Sequence, residues 1–233
     1  MRTLAIGDIH GCLRAFDQLL DAIRLQPDDL LVTLGDYVDR GPDSAGVLDR
    51  LIELKRRCRL VALKGNHDLM MLEARRDLAV FEDWLACGGR ETLHSYGADA
   101  HFDRFQDAIP VSHWRFLEDR CRPYHEISTH FFVHANAYAD LPLDEQPDHM
   151  LYWERLDEGR TRPHESGKVM ICGHTSQRSG RPLDLGHAVC LDTWVYGQGW
   201  LTCLDVKTRR YWQANQRGET RTGWLDEEIA EHS

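Results

Sequence analysis

Four apolar runs in this chain each end in a short polar motif, and that repetition narrows the folds open to it. Leu4-Ala5-Ile6 leads into Gly7-Asp8-Ile9-His10-Gly11, and Leu30-Leu31-Val32-Thr33-Leu34 into Gly35-Asp36-Tyr37-Val38-Asp39-Arg40-Gly41. Leu60-Val61-Ala62-Leu63 precedes Gly65-Asn66-His67-Asp68, and Val169-Met170-Ile171 precedes Cys172-Gly173-His174-Thr175. Each run has the length and near-continuous hydrophobicity of a strand buried on both faces. Between the first three lie helical patterns: Leu13, Phe16, Leu19, Leu20 and Ile23 keep a three-and-four spacing, and Val47, Leu48, Leu51, Ile52 and Leu54 do so less cleanly. The opening therefore reads β-α-β-α-β.

Parallel strands joined by crossover helices carry their carboxyl ends on one edge of the sheet. Asp8, His10, Asp36, Asn66 and His67, all just past a strand end, are predicted to share a cleft there. Glycines beside them allow tight turns and close backbone approach. Oxygen and imidazole donors suit a borderline or hard divalent ion in a catalytic site, whereas a thiolate-rich set points to structural zinc. In a two-ion site one carboxylate bridges ions roughly 3.5 to 4 Å apart. Asp36, in the middle strand, is the candidate bridge. Any one motif alone reads equally well as an ordinary turn; their repetition at successive strand ends argues for a site.

These motifs resemble those of the calcineurin-like metallophosphoesterases, in particular the bacterial branch of the phosphoprotein phosphatases, which is related to the symmetrical diadenosine tetraphosphatases. The resemblance continues through Gly88-Gly89-Arg90-Glu91-Thr92-Leu93, Phe132-Val133-His134-Ala135, Leu151-Tyr152-Trp153-Glu154-Arg155 and Gly173-His174-Thr175. It implies an α/β fold, a two-sheet β-sandwich flanked by helices, here with a helical cap segment at roughly residues 67 to 122. It implies that Asp8 and His10 hold one metal, that Asp36 bridges, and that Asn66, His134 and His174 complete the second. Arg40, Arg155 and Asn66 then hold phosphate, Arg by its planar bidentate fork. His67 resembles the general acid and Asp39 its orienting carboxylate.

The implied reaction is hydrolysis of a phosphoester by direct attack of a metal-bound hydroxide, with phosphoserine or phosphothreonine in proteins as substrate. Two divalent ions are implied as cofactors, manganese foremost, with iron or zinc as alternatives. The alternative substrate is a dinucleoside polyphosphate, suggested by Asp68 where the eukaryotic protein phosphatases carry glutamate. Tyr37 and Asp39 point back to the protein phosphatase form. A catalytically silent phospho-binding scaffold is a third reading, disfavoured because no metal ligand or acid is missing. Asn136 and Trp194 stand where the family commonly has glycine and are expected at the cleft rim.

A chain of 233 residues with 42% hydrophobic content suffices for one sizeable core. The expected organisation is a catalytic domain over residues 1–215 and a charged C-terminal tail over 216–233, either a short docking helix or a frayed end. Further strands are predicted at 124–127, 130–134, 169–172, 188–191, 200–206 and 210–214, as a second sheet packed on the first. A net charge of −10 argues against nucleic acid as the main partner. No apolar stretch reaches about 18 residues, which argues against a membrane span. Seven cysteines without a Cys-x-x-Cys pair read as reduced thiols. A cytoplasmic protein acting on phosphorylated protein or a small phosphorylated substrate is the expectation.

Overall fold

Leu4 and Ile6 of β1 (Thr3–Ile6) join one hydrophobic cluster while Ala5 joins another. That split is what strand alternation produces when both faces are covered. The structure, a computed structural model, describes residues 1–226. β2 (Leu30–Thr33) pairs in parallel with β1, and β3 (Arg59–Ala62) in parallel with β2. The crossovers are α1 (Leu13–Ile23) and α2 (Ser44–Leu54), the latter capped by Asp43, whose side chain accepts the Gly46 N–H at 2.8 Å. Phe16, Leu19 and Ile23 of α1 and Val47 and Leu51 of α2 are buried against the sheet. Burial of each such side chain contributes about 1.5–3 kcal/mol.

The predicted cap is helical: α3 (Asn66–Glu73), α4 (Leu78–Trp84), α5 (Arg90–Ser95) and α6 (Val111–Arg115), with short helical turns between and after them. Phe81, Trp84, Phe105, Trp114 and Phe116 belong to the same buried cluster as α1 and α2. The segment is thus core on the helix-bearing face of the first sheet as well as a cover.

The second sheet runs β4 (Tyr124–Glu126), β5 (His130–Val133), β6 (Val169–Cys172), β8 (Ala188–Cys190), β7 (Leu183–Asp184), with β5, β6 and β8 parallel. Phe132, Ile171 and Val189 pack against Ala5, Val32 and Leu34, forming the layer between the sheets. The outward residues Phe131, Met170 and Cys172 pack with Leu151 and Tyr152 of α7 (Asp148–Tyr152).

Two expectations are corrected. The strands beyond residue 191 do not extend the second sheet. β9 (Asp192–Thr193), β10 (Trp200–Asp205) and β11 (Arg210–Ala214) return to the first, where β10 lies antiparallel to the free edge of β1. Hydrophobic pattern marks a strand but does not name its neighbour. The stretch from residue 216 is not helical or frayed in its described part. β12 (Thr220–Trp224) pairs along its length with β11, so the first sheet continues past the predicted limit at residue 215; residues 227–233 lie outside the described ones. Among the described residues no helix is long and apolar enough to cross a membrane.

Candidate functional site

The carboxyl ends of β1, β2, β3, β5 and β6 meet at one edge between the sheets, and the chain there is strained. Among the described residues eight non-glycine positions have positive φ, and five of them are His10, Asp36, Asp39, Arg40 and His174. Backbone strain of this kind persists only where the surroundings over-determine it and collects at functional sites. Glycines make the crowding possible. A Cβ on Gly65 would stand 2.1 Å from Asp36 Oδ1, and one on Gly173 would stand 2.0 Å from Asp8 Oδ1. The close approach is therefore between motifs.

Asp36 lies at the centre. Its Oδ2 is 3.4 Å from His10 Nε2 and its Oδ1 3.5 Å from His134 Nε2. His10 donates its Nδ1–H to the Val38 carbonyl at 2.9 Å, and His134 donates its own to the Leu34 carbonyl at 2.8 Å. In a neutral ring this leaves both Nε2 lone pairs facing Asp36. His174 donates Nε2–H to the Trp153 carbonyl at 3.0 Å, which leaves Nδ1 facing Asn66 Oδ1 at 3.0 Å. Asn66 Oδ1 also faces His134 Nε2, at 2.9 Å.

Carboxylate, amide oxygen and unprotonated imidazole nitrogens are all acceptors, so this buried cluster lacks donors and suits cations. Two sets of possible ligands, His10/Asp36/His67 and Asp36/His134/His174, each keep their donor atoms within 4.8 Å and share Asp36. The donor set fits two divalent ions. Arg40 stands in for positive charge on one side, donating an Nη1–H to His10 Nε2 at 3.0 Å.

Electrostatics favour neutral His10 and His174 beside an ionised Asp36. Burial holds His10 well below its usual range, and burial with the neighbouring His134 holds His174 down to about 4. Burial pulls the Asp36 carboxyl up, but the neighbouring histidines, His134 and His67 foremost, outweigh it and hold it below the usual range. Asp8 is in neither set. Its carboxylate accepts the His174 N–H, with Oδ2 at 3.0 Å, and burial with Asp192 and Asp36 nearby raises it well above the ordinary range.

His67 and Asp39 are paired: Nδ1–H donates to Oδ2 at 2.7 Å. Burial alone lowers His67, but Asp36 and Asp39 together raise it. Asp39 is fully buried and raised by burial, against donors from His67, Thr92 Oγ1 at 2.7 Å and Trp84 Nε1 at 2.9 Å.

A cavity of about 200 Å³ opens over these groups, lined by Asp36, Asn66, His67, His174 and the side chains of Arg40 and Arg155. Arg155 is held at its flanks: its carbonyl accepts from Asn136 Nδ2 at 3.2 Å, and the next N–H, of Leu156, donates to Thr175 Oγ1 at 2.9 Å. Gly88, with φ of 122°, accepts the Arg40 N–H at 3.2 Å. The Gly88-Gly89 break thus braces Arg40. A larger cavity, about 620 Å³, lies between the end of α1 and β11 and β12 and has no such chemistry.

Several residues at the site carried no sequence signal of their role. Trp84 reads as a core aromatic and is one, yet it also holds Asp39. Thr92 lies in a quoted motif but shows its function only through contact with Asp39. Tyr196 meets His10 edge to face at 5.0 Å and carries the Arg40 guanidinium at 4.5 Å. Arg178 lines the cavity as well. Asp68 does not face it. Fully buried, its carboxylate accepts the N–H groups of Gly65 and Asp36 at 2.9 Å and Tyr37 at 3.0 Å. Burial and Asp36 push it up to about 8, against the pull of those donors. Cys12 and Cys172 are buried beside motifs, and burial pushes the Cys12 thiol up to about 12, which leaves no thiolate to react.

A profile for the calcineurin-like phosphoesterases matches residues 1–198. Serine/threonine-protein phosphatase 1 of Salmonella typhimurium is 36% identical over 211 residues, which span 87% of this chain and 90% of that protein. A symmetrical bis(5'-nucleosyl)-tetraphosphatase of an Acidovorax species is 51% identical, but over 75 residues, 32% of this chain and 26% of its own length. Among solved structures, a candidate diadenosine tetraphosphatase aligns with a TM-score of 0.66 at 21% identity, covering 96% of this chain and 94% of that one. A cold-active protein-tyrosine phosphatase of a Shewanella species aligns at 0.65 and 15%, covering 95% and 80%.

Proposed function

The chain belongs to the calcineurin-like metallophosphoesterases and is a metal-dependent phosphatase, and from that premise we propose that it removes phosphate from phosphoserine and phosphothreonine in proteins. The observation that carries the hydrolytic reading is the sharing of Asp36 between two ligand sets, with His10 and His134 presenting lone pairs to its two oxygens. Asp8, His10 and Asp36 would hold one ion, and Asp36, Asn66, His134 and His174 the other; manganese is the proposed metal. When bound, two divalent ions lower the pKa of water and offset phosphoryl charge.

The residues of the chain do the rest. Arg40 and Arg155, both lining the cavity, grip the phosphoryl oxygens and orient phosphorus, and Asn66 adds an amide contact. His67, whose protonated form Asp36 and Asp39 favour, gives its proton to the departing serine or threonine oxygen. Water attacks directly, so no phosphoenzyme forms. Histidine ligands held neutral and an acid held charged are opposite demands, met by burial for His10 and His174 and by two carboxylates for His67. Free cysteines, all seven among the described residues, fit a cytoplasmic setting.

The substrate class rests on the relative that matches along nearly its whole length being a serine/threonine-protein phosphatase. A dinucleoside polyphosphate is the second reading, favoured by the higher identity over 75 residues to the tetraphosphatases. Steady-state kinetics with manganese on phosphoserine and phosphothreonine peptides and on diadenosine tetraphosphate, at matched concentration, separate the two. A higher kcat/KM on the peptides is expected; a large preference for the nucleotide overturns the substrate assignment.

A further inference from the structure

Trp194 has φ of 65°, a left-handed conformation that a bulky side chain rarely adopts. Its N–H donates to Asp192 Oδ1 at 3.0 Å, and its carbonyl accepts from Gly197 and Gly199 at 3.1 Å each. A Cβ on Gly197 would stand 2.3 Å from the indole ring, so the ring lies directly on the glycine backbone. Its ring meets that of Tyr196 at 85°, with centroids 6.3 Å apart. Above the indole sits the guanidinium of Arg178, 5.3 Å from the ring centroid. Strain spent on presenting an aromatic face calls for a reason at the site that uses it.

The arrangement repeats that of Arg40, which lies over Tyr196. Two arginines thus rest on two touching aromatic rings, and both line the cavity that holds Asp36, His67 and Arg155. Arg2, Arg50, Arg75 and Arg209 each face a carboxylate. Among the described residues, Arg40, Arg155 and Arg178 form no ion pair, although the chain carries a net charge of −10. Three guanidinium groups and the single carboxylate of Asp36 line this one small cavity, an excess of positive charge that suits an anionic ligand. With Arg40 and Arg155 on one phosphoryl group, Arg178, whose side chain donates no hydrogen bond among the described residues, is left free to meet a further anion.

We propose that Arg178, seated over Trp194, is a specificity-determining residue that binds a second anionic group next to the scissile phosphoryl group. The proposal rests on the phosphatase reading above. The second group is either a neighbouring phosphoryl of a phosphoanhydride or a carboxylate flanking a phosphorylated residue; both offer acceptor oxygens to a guanidinium.

The test compares the wild-type full chain with Arg178→Gln, Arg178→Lys and Trp194→Gly, all with manganese. The substrates are p-nitrophenyl phosphate, a phosphoserine peptide with Asp or Asn beside the phosphoserine, and diadenosine tetraphosphate. Wild type should favour the Asp peptide over the Asn peptide, or the tetraphosphate over both. Arg178→Gln should cut that preference about tenfold, mainly through KM, one charge-assisted contact being of that order. Arg178→Lys should retain part of it, and Trp194→Gly should shift it in the same direction as Arg178→Gln. Loss confined to the peptide pair identifies a carboxylate; loss confined to the tetraphosphate identifies a phosphoryl group. Calorimetric binding of pyrophosphate against inorganic phosphate gives the same comparison without turnover, with pyrophosphate weakened more by Arg178→Gln. An equal loss on every substrate, or none on any, overturns the proposal. A wild type inactive on all of them overturns the phosphatase reading and this proposal with it.

Discussion

His67 donates its Nδ1–H to Asp39 over 2.7 Å, in a pocket where both side chains are buried and where Trp84 and Thr92 supply Asp39 with further donors. His67 also falls in one of the two ligand sets, with His10 and Asp36. The two roles make different predictions. If His67 is the acid, His67→Asn lowers kcat by about 10²–10⁴ and leaves metal content near that of wild type. Elemental analysis of the purified variant decides it, and parallel loss of metal and turnover assigns His67 as a ligand.

Trp84 should couple core to site. Trp84→Phe keeps most of the buried ring and removes one donor from a buried carboxylate, at a cost of about 1–3 kcal/mol in stability. With less support, Asp39 favours its ionised form less and holds His67⁺ less well, so kcat should fall together with the urea midpoint. A variant as stable and as active as wild type would show the indole N–H to be idle.

Asp36 is the one residue common to both ligand sets, so Asp36→Asn should reduce bound metal from two equivalents toward none, while His174→Ala should cost one. Chelation should abolish activity and added manganese restore it. Inductively coupled plasma measurements on wild type and both variants give the stoichiometries; full occupancy in Asp36→Asn would remove the shared-carboxylate geometry.

Asp68 braces three backbone N–H groups behind the site and has no exposed surface. Asp68→Asn turns an acceptor into a donor facing those groups and should cost about 2–4 kcal/mol. Asp68→Glu, one methylene longer at a fully buried position, should also destabilise while leaving the ratio of peptide to nucleotide turnover unchanged. A changed ratio at unchanged stability would return Asp68 to the substrate question.

Far from the metals, Asp29 receives Arg2 Nη2 at 2.5 Å and the Gln26 N–H at 2.9 Å. Burial raises its carboxyl, but Arg2 and the backbone donors outweigh that and hold it below the usual range. A folded-state pKa below the unfolded one contributes stability above the unfolded value, near pH 4, and loses it as pH falls through the folded value. The urea midpoints of wild type and Asp29→Asn should therefore differ near neutrality and converge as pH falls through the lowered folded-state value. A difference that persists or grows on acidification would assign Asp29 a role other than its charge.

Much of the site could be read from one dimension because its residues follow strand ends. Parallel topology alone brings Asp8, His10, Asp36, Asn66 and His67 to one edge, and Asp39 and Arg40 follow in the same motif as Asp36. His134 and His174 needed the resemblance, since a lone histidine after a short apolar run carries little weight. Asp68 shows where the reading stopped: a letter in a motif pointed to substrate, while its side chain points into the backbone behind the cleft.

The chain by itself determined the strands, most helices and the chemistry of the motifs, because hydrophobic period and turn residues are local properties. Only the tertiary structure decided which strands share a sheet, as β10 to β12 show by joining β1. It alone brought Trp84, Thr92, Tyr196 and Arg178 to the site. Those contacts depend on side chains meeting across elements far apart in sequence, and no local pattern encodes a meeting of that kind.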